Sequence, residues 1–269
     1  FTPGRIAGKR IARARLLTLA CLNDFASGEL QFGAHEDDDQ RNVYAYELAK
    51  MAAAQDQPAR AMNYIATYTP RYLYMPLDEA PIAFWRLAFP LPYRASIERH
   101  SRQERLDPFL VAALIRQESE FNAHVISYAH AYGLMQILPS TGRRLARHFR
   151  VRRFRARELL LPDRNVQFGT YFFRNLLDAY NGDVELALAA YNAGPSRAKL
   201  WRTWGPYSEP AEFIETVPFH QTRGYIQLVL RNANVYRRLY AKAVPEVPAY
   251  RPKPAPKPRR LHKTRRRHR

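Results

Sequence analysis

The chain has 269 residues, 46% of them hydrophobic and 13% aromatic, which is enough for a packed core and excludes wholesale disorder. No apolar run approaches the roughly 18 residues of a membrane span, and a lone cysteine, Cys21, excludes an internal disulfide framework and a cysteine-ligated zinc site. The formal charge is +19, with ten Lys/Arg and no acid in residues 251–269; this suits an anionic partner without choosing among nucleic acid, an anionic membrane surface and an acidic polymer.

The chain starts at Phe1. Five basic residues precede the apolar stretch Leu16–Leu22, which is at the lower length limit of an export signal and is followed by no small-residue cleavage site. Ala20-Cys21 is only faintly like a lipoprotein cleavage site, because Thr18 fits poorly. An amphipathic helix is the simpler reading, with Ile11, Leu16, Leu19, Leu22, Phe25 and Leu30 near helical spacing. One helix is therefore predicted over 11–32, and any export signal is expected to have been removed or to lie upstream. His35–Gln40 reads as an acidic, solvated loop. Residues 42–55 and 58–67 read as a helical pair with alanine-rich packing faces. A Tyr/Pro-rich connector follows, then a short apolar helix at 82–89 that Pro90-Leu91-Pro92 ends. Further helices are predicted at 93–102, 108–120, 141–149, 164–180, 183–191, 210–216 and 220–241, with Asp107, Asp163 and Asp183 as N-caps. There is no β-alternation of any length, only room for a short hairpin in the loops. The class is all-α. From Pro245 the composition turns to Pro, Lys, Arg and His, which predicts a solvated, disordered tail.

The helix at 108–120 carries the most informative residue. At 100° per residue, Val111, Leu114 and Ile115 define an apolar stripe. Glu118 falls within it, at i+3 from Ile115 and i+4 from Leu114, whereas Glu120 points away. A carboxyl among apolar groups has its pKa raised by desolvation, so it can stay protonated near neutral pH and donate to a leaving oxygen. A buried glutamate satisfied by an arginine or a backbone amide is the alternative. Ser119 and Asn122 flank the helix end. Next, Gly133 and Pro139 bracket an apolar turn bearing one amide, Gln136. Ala190-Tyr191-Asn192-Ala193-Gly194-Pro195 places an aromatic ring and an amide at a helix C-terminus. Rings pack on sugar CH faces and amides bond hydroxyl and N-acetyl groups, so the set suits a carbohydrate.

These segments carry a family resemblance. Arg116-Gln117-Glu118-Ser119-Glu120-Phe121-Asn122, Gly133-Leu134-Met135-Gln136 with Pro139, Asn165-Val166-Gln167-Phe168-Gly169, Ala190–Pro195, and Ile214–Phe219 with Thr222-Arg223-Gly224-Tyr225 stand in the order and approximate spacing of one family. Over about 90–240 the chain resembles the catalytic domain of soluble lytic murein transglycosylases, whose fold is similar to goose-type lysozyme. Ala14–Leu30 also looks like a helix of the superhelical domain that precedes the catalytic domain in large members, and Phe84–Tyr93 looks like the junction. The resemblance implies three parts: a superhelical remnant at 1–80, a lysozyme-like transglycosylase domain at 81–243, and a disordered Pro/Lys/Arg-rich tail at 244–269.

It further implies non-hydrolytic cleavage of the β-1,4 bond between N-acetylmuramic acid and N-acetylglucosamine in peptidoglycan. Glu118 would be the single acid/base. It would protonate the glycosidic oxygen, then take the proton of the C6 hydroxyl, with the substrate N-acetyl group replacing the second carboxylate of ordinary glycosidases. The product would be a 1,6-anhydro sugar. By the same match Ser127, Met135, Gln136, Tyr191, Asn192 and Tyr225 would line the glycan groove, with Tyr225 near Glu118. Core packing is the other reading for Met135 and Tyr225, since Tyr225, Val229, Ala233 and Tyr236 form a helical stripe. The chain departs from the family pattern at His130, where glycine is usual, and at Gln221, where glutamate is usual. Neither touches Glu118. No metal or organic cofactor is implied, and a monomer in the bacterial periplasm is expected.

Arg143–Arg157 contains eight arginines and no acid. It reads equally as a solvated face or as a contact for anionic groups near the groove. The tail lacks aromatic interleaving and a reader fold, so nonspecific tethering to anionic envelope polymers is expected, not specific nucleic-acid recognition. Three rivals stand beside the transglycosylase: a hydrolytic muramidase of the same fold, a non-catalytic glycan-binding module, and a tail-driven nucleic-acid binder. No serine-centred elbow, H-E-x-x-H or phosphate loop is present.

Overall fold

The computed structural model describes residues 1–241. The predicted disordered tail therefore lies outside the described residues. Thirteen α-helices occur among the described residues, with no strand; the loops hold isolated antiparallel bridges, Ile126 with Tyr132 and Tyr132 with Ile137, in place of a hairpin. None of these helices is long and apolar enough to cross a membrane.

The single helix expected at 11–32 is instead two, α1 (Arg5–Leu19) and α2 (Asn23–Glu36). Cys21 adopts φ 61°. Cys21 N–H donates to Thr18 O at 3.0 Å and Leu22 N–H to Leu17 O at 2.9 Å. This pair of bonds closes a Schellman-type helix end, a turn normally announced by glycine. Of the apolar stripe drawn through the break only its ends, Ile11 and Leu30, face the core; Leu16, Leu19, Leu22 and Phe25 are exposed, and Ala7, Ala14 and Ala26 are buried instead. The acidic segment expected as a loop begins inside α2 and continues as a 3-10 turn at Asp38–Gln40.

The alanine-rich pair is present as α3 (Arg41–Ala54) and α4 (Pro58–Tyr68). Buried Ala45, Ala49, Ala52 and Ala61 let the two axes approach closely. After α5 (Ile82–Ala88) and α6 (Arg94–Glu104) comes α7 (Pro108–Ser119). Asp107 caps α7 by accepting from Phe109 N–H at 2.9 Å, with Pro108 at the first helical position. Residues Phe109–Ile115 are all buried. The helix is thus not amphipathic as expected but central, wrapped by neighbours that include α6 and α13 (His220–Tyr240).

The remainder comprises α8 (Pro139–His148), α9 (Pro162–Ala179), α10 (Val184–Ala193), α11 (Pro195–Arg202) and α12 (Pro210–Thr216). Gly194-Pro195 ends α10 and also starts α11, a helix the sequence reading missed; proline is as well suited to a first turn as to a break. Asp183 caps α10 through Leu186 N–H. Asp163 does not cap α9. Leu161 occupies that position, and Asp163 instead accepts from Ser96 Oγ at 2.6 Å, contacts His100 Nε2 at 3.0 Å and pairs with Arg99, tying α9 to α6. Two apolar cores result. A small one lies beneath α1–α3, and a large one runs from Ala49 to Leu239 with α7 inside it.

Candidate active site

Glu118 lies in the last turn of α7, where the buried helix meets the surface, and is half-buried. The chain leaves that turn through two consecutive left-handed residues, Glu120 (φ 49°) and Phe121 (φ 63°). Phe121 is buried with its ring edge-on to Tyr236 and anchors the exit. Glu120 is exposed. Tyr225 on α13, itself buried, donates its hydroxyl to Glu118 Oε1 at 2.6 Å.

Burial pushes the Glu118 pKa from 4.5 up to about 7, and the Tyr225 hydrogen bond opposes the rise by stabilising the carboxylate. The two tyrosines nearest in effect, Tyr225 and Tyr191, are raised well above their ordinary value by burial and then by the Glu118 charge. They therefore stay neutral donors. Near pH 7 the carboxyl populates both protonation states, which suits a group that must give a proton and take one back.

A second layer holds a loop against this turn. Ser119 Oγ donates to Leu134 O at 2.8 Å. Gly133 has φ 69°, and a Cβ there would sit 2.3 Å from Leu159 O, so only glycine fits. Asn165, fully buried on α9, accepts from Met135 N–H at 2.7 Å and donates to Tyr132 O at 2.8 Å and Leu159 O at 2.6 Å. Tyr191 Oη donates to Met135 O at 2.6 Å. Asn165 thus locks the loop's inner edge, with both amide groups in use.

The expected groove residues fall into distinct positions. Tyr225 touches Glu118 and also belongs to the buried stripe with Val229, Ala233 and Tyr236, so both readings of it hold. Tyr191 reaches the loop. Asn192 is exposed at the end of α10 and accepts from Thr222 Oγ1 at 2.8 Å, joining α10 to α13. Gln136, at φ 47°, folds back to donate to Gly133 O at 2.8 Å. Ser127 Oγ accepts from Ala131 N–H at 3.1 Å and closes the turn that presents Tyr128, Ala129 and His130 to solvent. Met135 is fully buried; a Cβ at Gly169 would lie 2.2 Å from its sulfur. Its side chain packs in the core, and only its backbone takes part in the loop. Gln221 is exposed.

Sequence reasoning assigned no role to Asn165 or Arg116. The wrong-face logic applied to Glu118 would have found Asn165, which shares a helical face with Phe168, Gly169, Phe172 and Phe173. Arg116 donates to Ala88 O at 2.6 Å and Tyr72 Oη at 3.0 Å, and lies 4.3 Å from the Phe89 ring centre. No pattern in α7 alone announces those partners. No cluster of potential metal ligands occurs among the described residues.

Comparison with known proteins fits this arrangement. The model of the transglycosylase SLT domain matches residues 95–209. A soluble lytic murein transglycosylase from Salmonella typhimurium is 36% identical over 152 residues, covering 55% of this chain and 23% of that protein. The crystal structure of an inactive mutant of the lytic transglycosylase Slt from Pseudomonas aeruginosa superposes with a TM-score of 0.70 at 26% identity, over 91% of this chain and 39% of the other. The 70 kDa soluble lytic transglycosylase of Escherichia coli gives 0.66 at 25% identity, over 86% and 36%. The chain thus spans about a quarter of the length of the curated relative and under half of either solved chain. Residues 95–209 are thus similar to the transglycosylase SLT domain, and the all-α fold is similar to that of the soluble lytic transglycosylases.

Proposed function

We propose that the chain cleaves the β-1,4 bond between N-acetylmuramic acid and N-acetylglucosamine in peptidoglycan without water, releasing 1,6-anhydromuropeptides. The observation that carries this is the setting of Glu118: a carboxyl at the surface end of a buried helix, hydrogen-bonded by Tyr225 at 2.6 Å, whose pKa burial raises to about 7. Ordinary glycosidases set a second carboxylate about 5–9.5 Å away. The other acid of the same motif, Glu120, is exposed in left-handed backbone at the helix end, which supports a one-carboxyl mechanism with assistance from the substrate's own N-acetyl group.

In this mechanism protonated Glu118 gives its proton to the glycosidic oxygen as the bond breaks. The resulting carboxylate, held by Tyr225, accepts the proton of the C6 hydroxyl as that oxygen closes on C1. Tyr225 keeps Oε1 oriented through both steps. Asn192, Gln136, Ser127 and Tyr191 form the wall offered to the glycan, with Met135 supporting it from the core. Residues 81–243 would carry the chemistry, residues 1–80 would form the superhelical layer behind it, and the basic tail would tether the enzyme to anionic envelope polymers. Peptidoglycan as substrate fits a protein of the bacterial periplasm.

The test is mass spectrometry of soluble products from purified sacculi. Anhydromuropeptides from the wild type, reduced about a thousandfold in rate by Glu118→Gln, are the expected result. Reducing-end products would assign hydrolysis to the same fold. Equal release by wild type and Glu118→Gln would remove Glu118 from the mechanism.

A further inference from the structure

The arginines of 143–157 have no role in the chemistry above. All eight are exposed. Among the described residues none of them forms an ion pair; the adjacent acid, Glu158, is turned to Arg164 at 3.7 Å and to the Arg155 backbone N–H at 2.8 Å. Unpaired like charges this dense repel one another and weaken the compact state. Two of them, Arg150 (φ 55°) and Arg153 (φ 53°), hold left-handed backbone where glycine or asparagine costs less. The segment therefore keeps its charge at the expense of local stability.

The face has shape as well as charge. Ser140, Arg143 and Arg147 lie along one side of α8, above a cleft of about 490 Å³ whose remaining lining is Ala146, Val151 and Phe154. The floor is apolar and the rim carries two guanidiniums and a hydroxyl. That combination suits a short chain with small apolar side groups and a free carboxylate, since guanidinium pairs carboxylate bidentately. It does not suit a nucleic acid, because the one ring that lines the cleft, Phe154, is half-buried and offers no free face for base stacking.

The cleft is also close to the site. α8 begins where the Gly133–Leu138 loop ends. Arg144, next to Arg143, lies 6.0 Å from the Phe172 ring centre, and Phe172 packs on Tyr191 at 5.4 Å between centres. A polymer lying along the Tyr191 wall would carry its side groups towards α8.

We propose that the Arg143/Arg147 cleft binds the carboxylate-bearing peptide side chains of peptidoglycan. This rests on the substrate named above. It makes the peptide, beside the sugar bond, part of what the chain recognises.

The test is cosedimentation of the full chain with two kinds of sacculi: native, and with free carboxylates converted to amides by carbodiimide and ammonia. The double variant Arg143→Gln/Arg147→Gln removes the site's charge at exposed, unpaired positions. Arg5→Gln/Lys9→Gln removes the same net charge from α1. Against native sacculi the site variant should bind about tenfold more weakly than wild type, and the α1 variant about as wild type. Against amidated sacculi all three should bind alike. The proposal is overturned if the site variant binds native sacculi like the wild type, if the α1 variant loses as much, or if the deficit persists after amidation. Product analysis in parallel separates the two readings: the binding difference without anhydromuropeptides would keep the cleft and refute the activity.

Discussion

The first two helices and the central helix of this molecule use apolar residues in opposite ways. In α1 and α2 most large apolar side chains face out, with Leu16, Leu19, Phe25 and Phe32 exposed, and alanines face in beside Ile11 and Leu30. In α7 every side chain from Phe109 to Ile115 is buried. The lesson is that apolar content does not tell which face is inside. Alanines set a close helix–helix approach under α1–α3, whereas α7 is enclosed on all sides. A carboxyl at the end of an enclosed helix is therefore a far stronger signal than one on an amphipathic surface helix.

Three measurements sharpen that contrast. The largest effect on stability should come from paired truncations. Leu114→Ala, inside the enclosed helix, should cost about 3 kcal/mol in denaturant unfolding, whereas Leu19→Ala, 81% exposed, should stay within about 0.5 kcal/mol. Comparable losses would mean that α1 is covered as fully as α7.

Next is the cost of holding Glu118 where it is. Its carboxyl has an ordinary pKa of 4.5 when unfolded and about 7 when folded, so between those values the folded state binds more protons. Stability must then fall as pH rises from about 4.5 to about 7. Glu118→Gln removes this dependence and keeps an acceptor for Tyr225. It should be about 2 kcal/mol more stable than wild type at pH 8 and about equal near pH 4. A pH-independent difference between the two proteins would contradict burial as the cause of the shift.

The smallest effect is the most specific. The Tyr225 hydrogen bond lowers the Glu118 pKa. In Tyr225→Phe the alkaline limb of kcat/KM, which follows loss of the Glu118 proton, should therefore move to higher pH. An unmoved limb would show that the pair contributes nothing to the proton's affinity.

Much of this was legible beforehand, for identifiable reasons. Helices with Asp-Pro starts or long apolar periodicity were readable because their signals are local. The break at Cys21 was not, because a cysteine fills a turn that glycine usually marks. Asp163 looked like a cap because its partners Ser96, Arg99 and His100 lie far away in sequence. At the site, Glu118 stood out by its neighbours on one helix. Met135 was read both as groove wall and as core, and its contact with Gly169 places its side chain inside. Asn165 shows the limit from the other side: three hydrogen bonds to three separate segments cannot be inferred from any one of them.

Arg116 bears on where this chain can be cut. The recurrent sequence match begins at residue 95, yet two residues before Glu118 a guanidinium is satisfied by Tyr72, Ala88 and Phe89, all upstream of that boundary. A chain that begins at residue 95 would lose these three partners and Met62, the groups that fix this guanidinium from the upstream side. The helices ahead of the match are thus part of the scaffold behind the turn that carries Glu118.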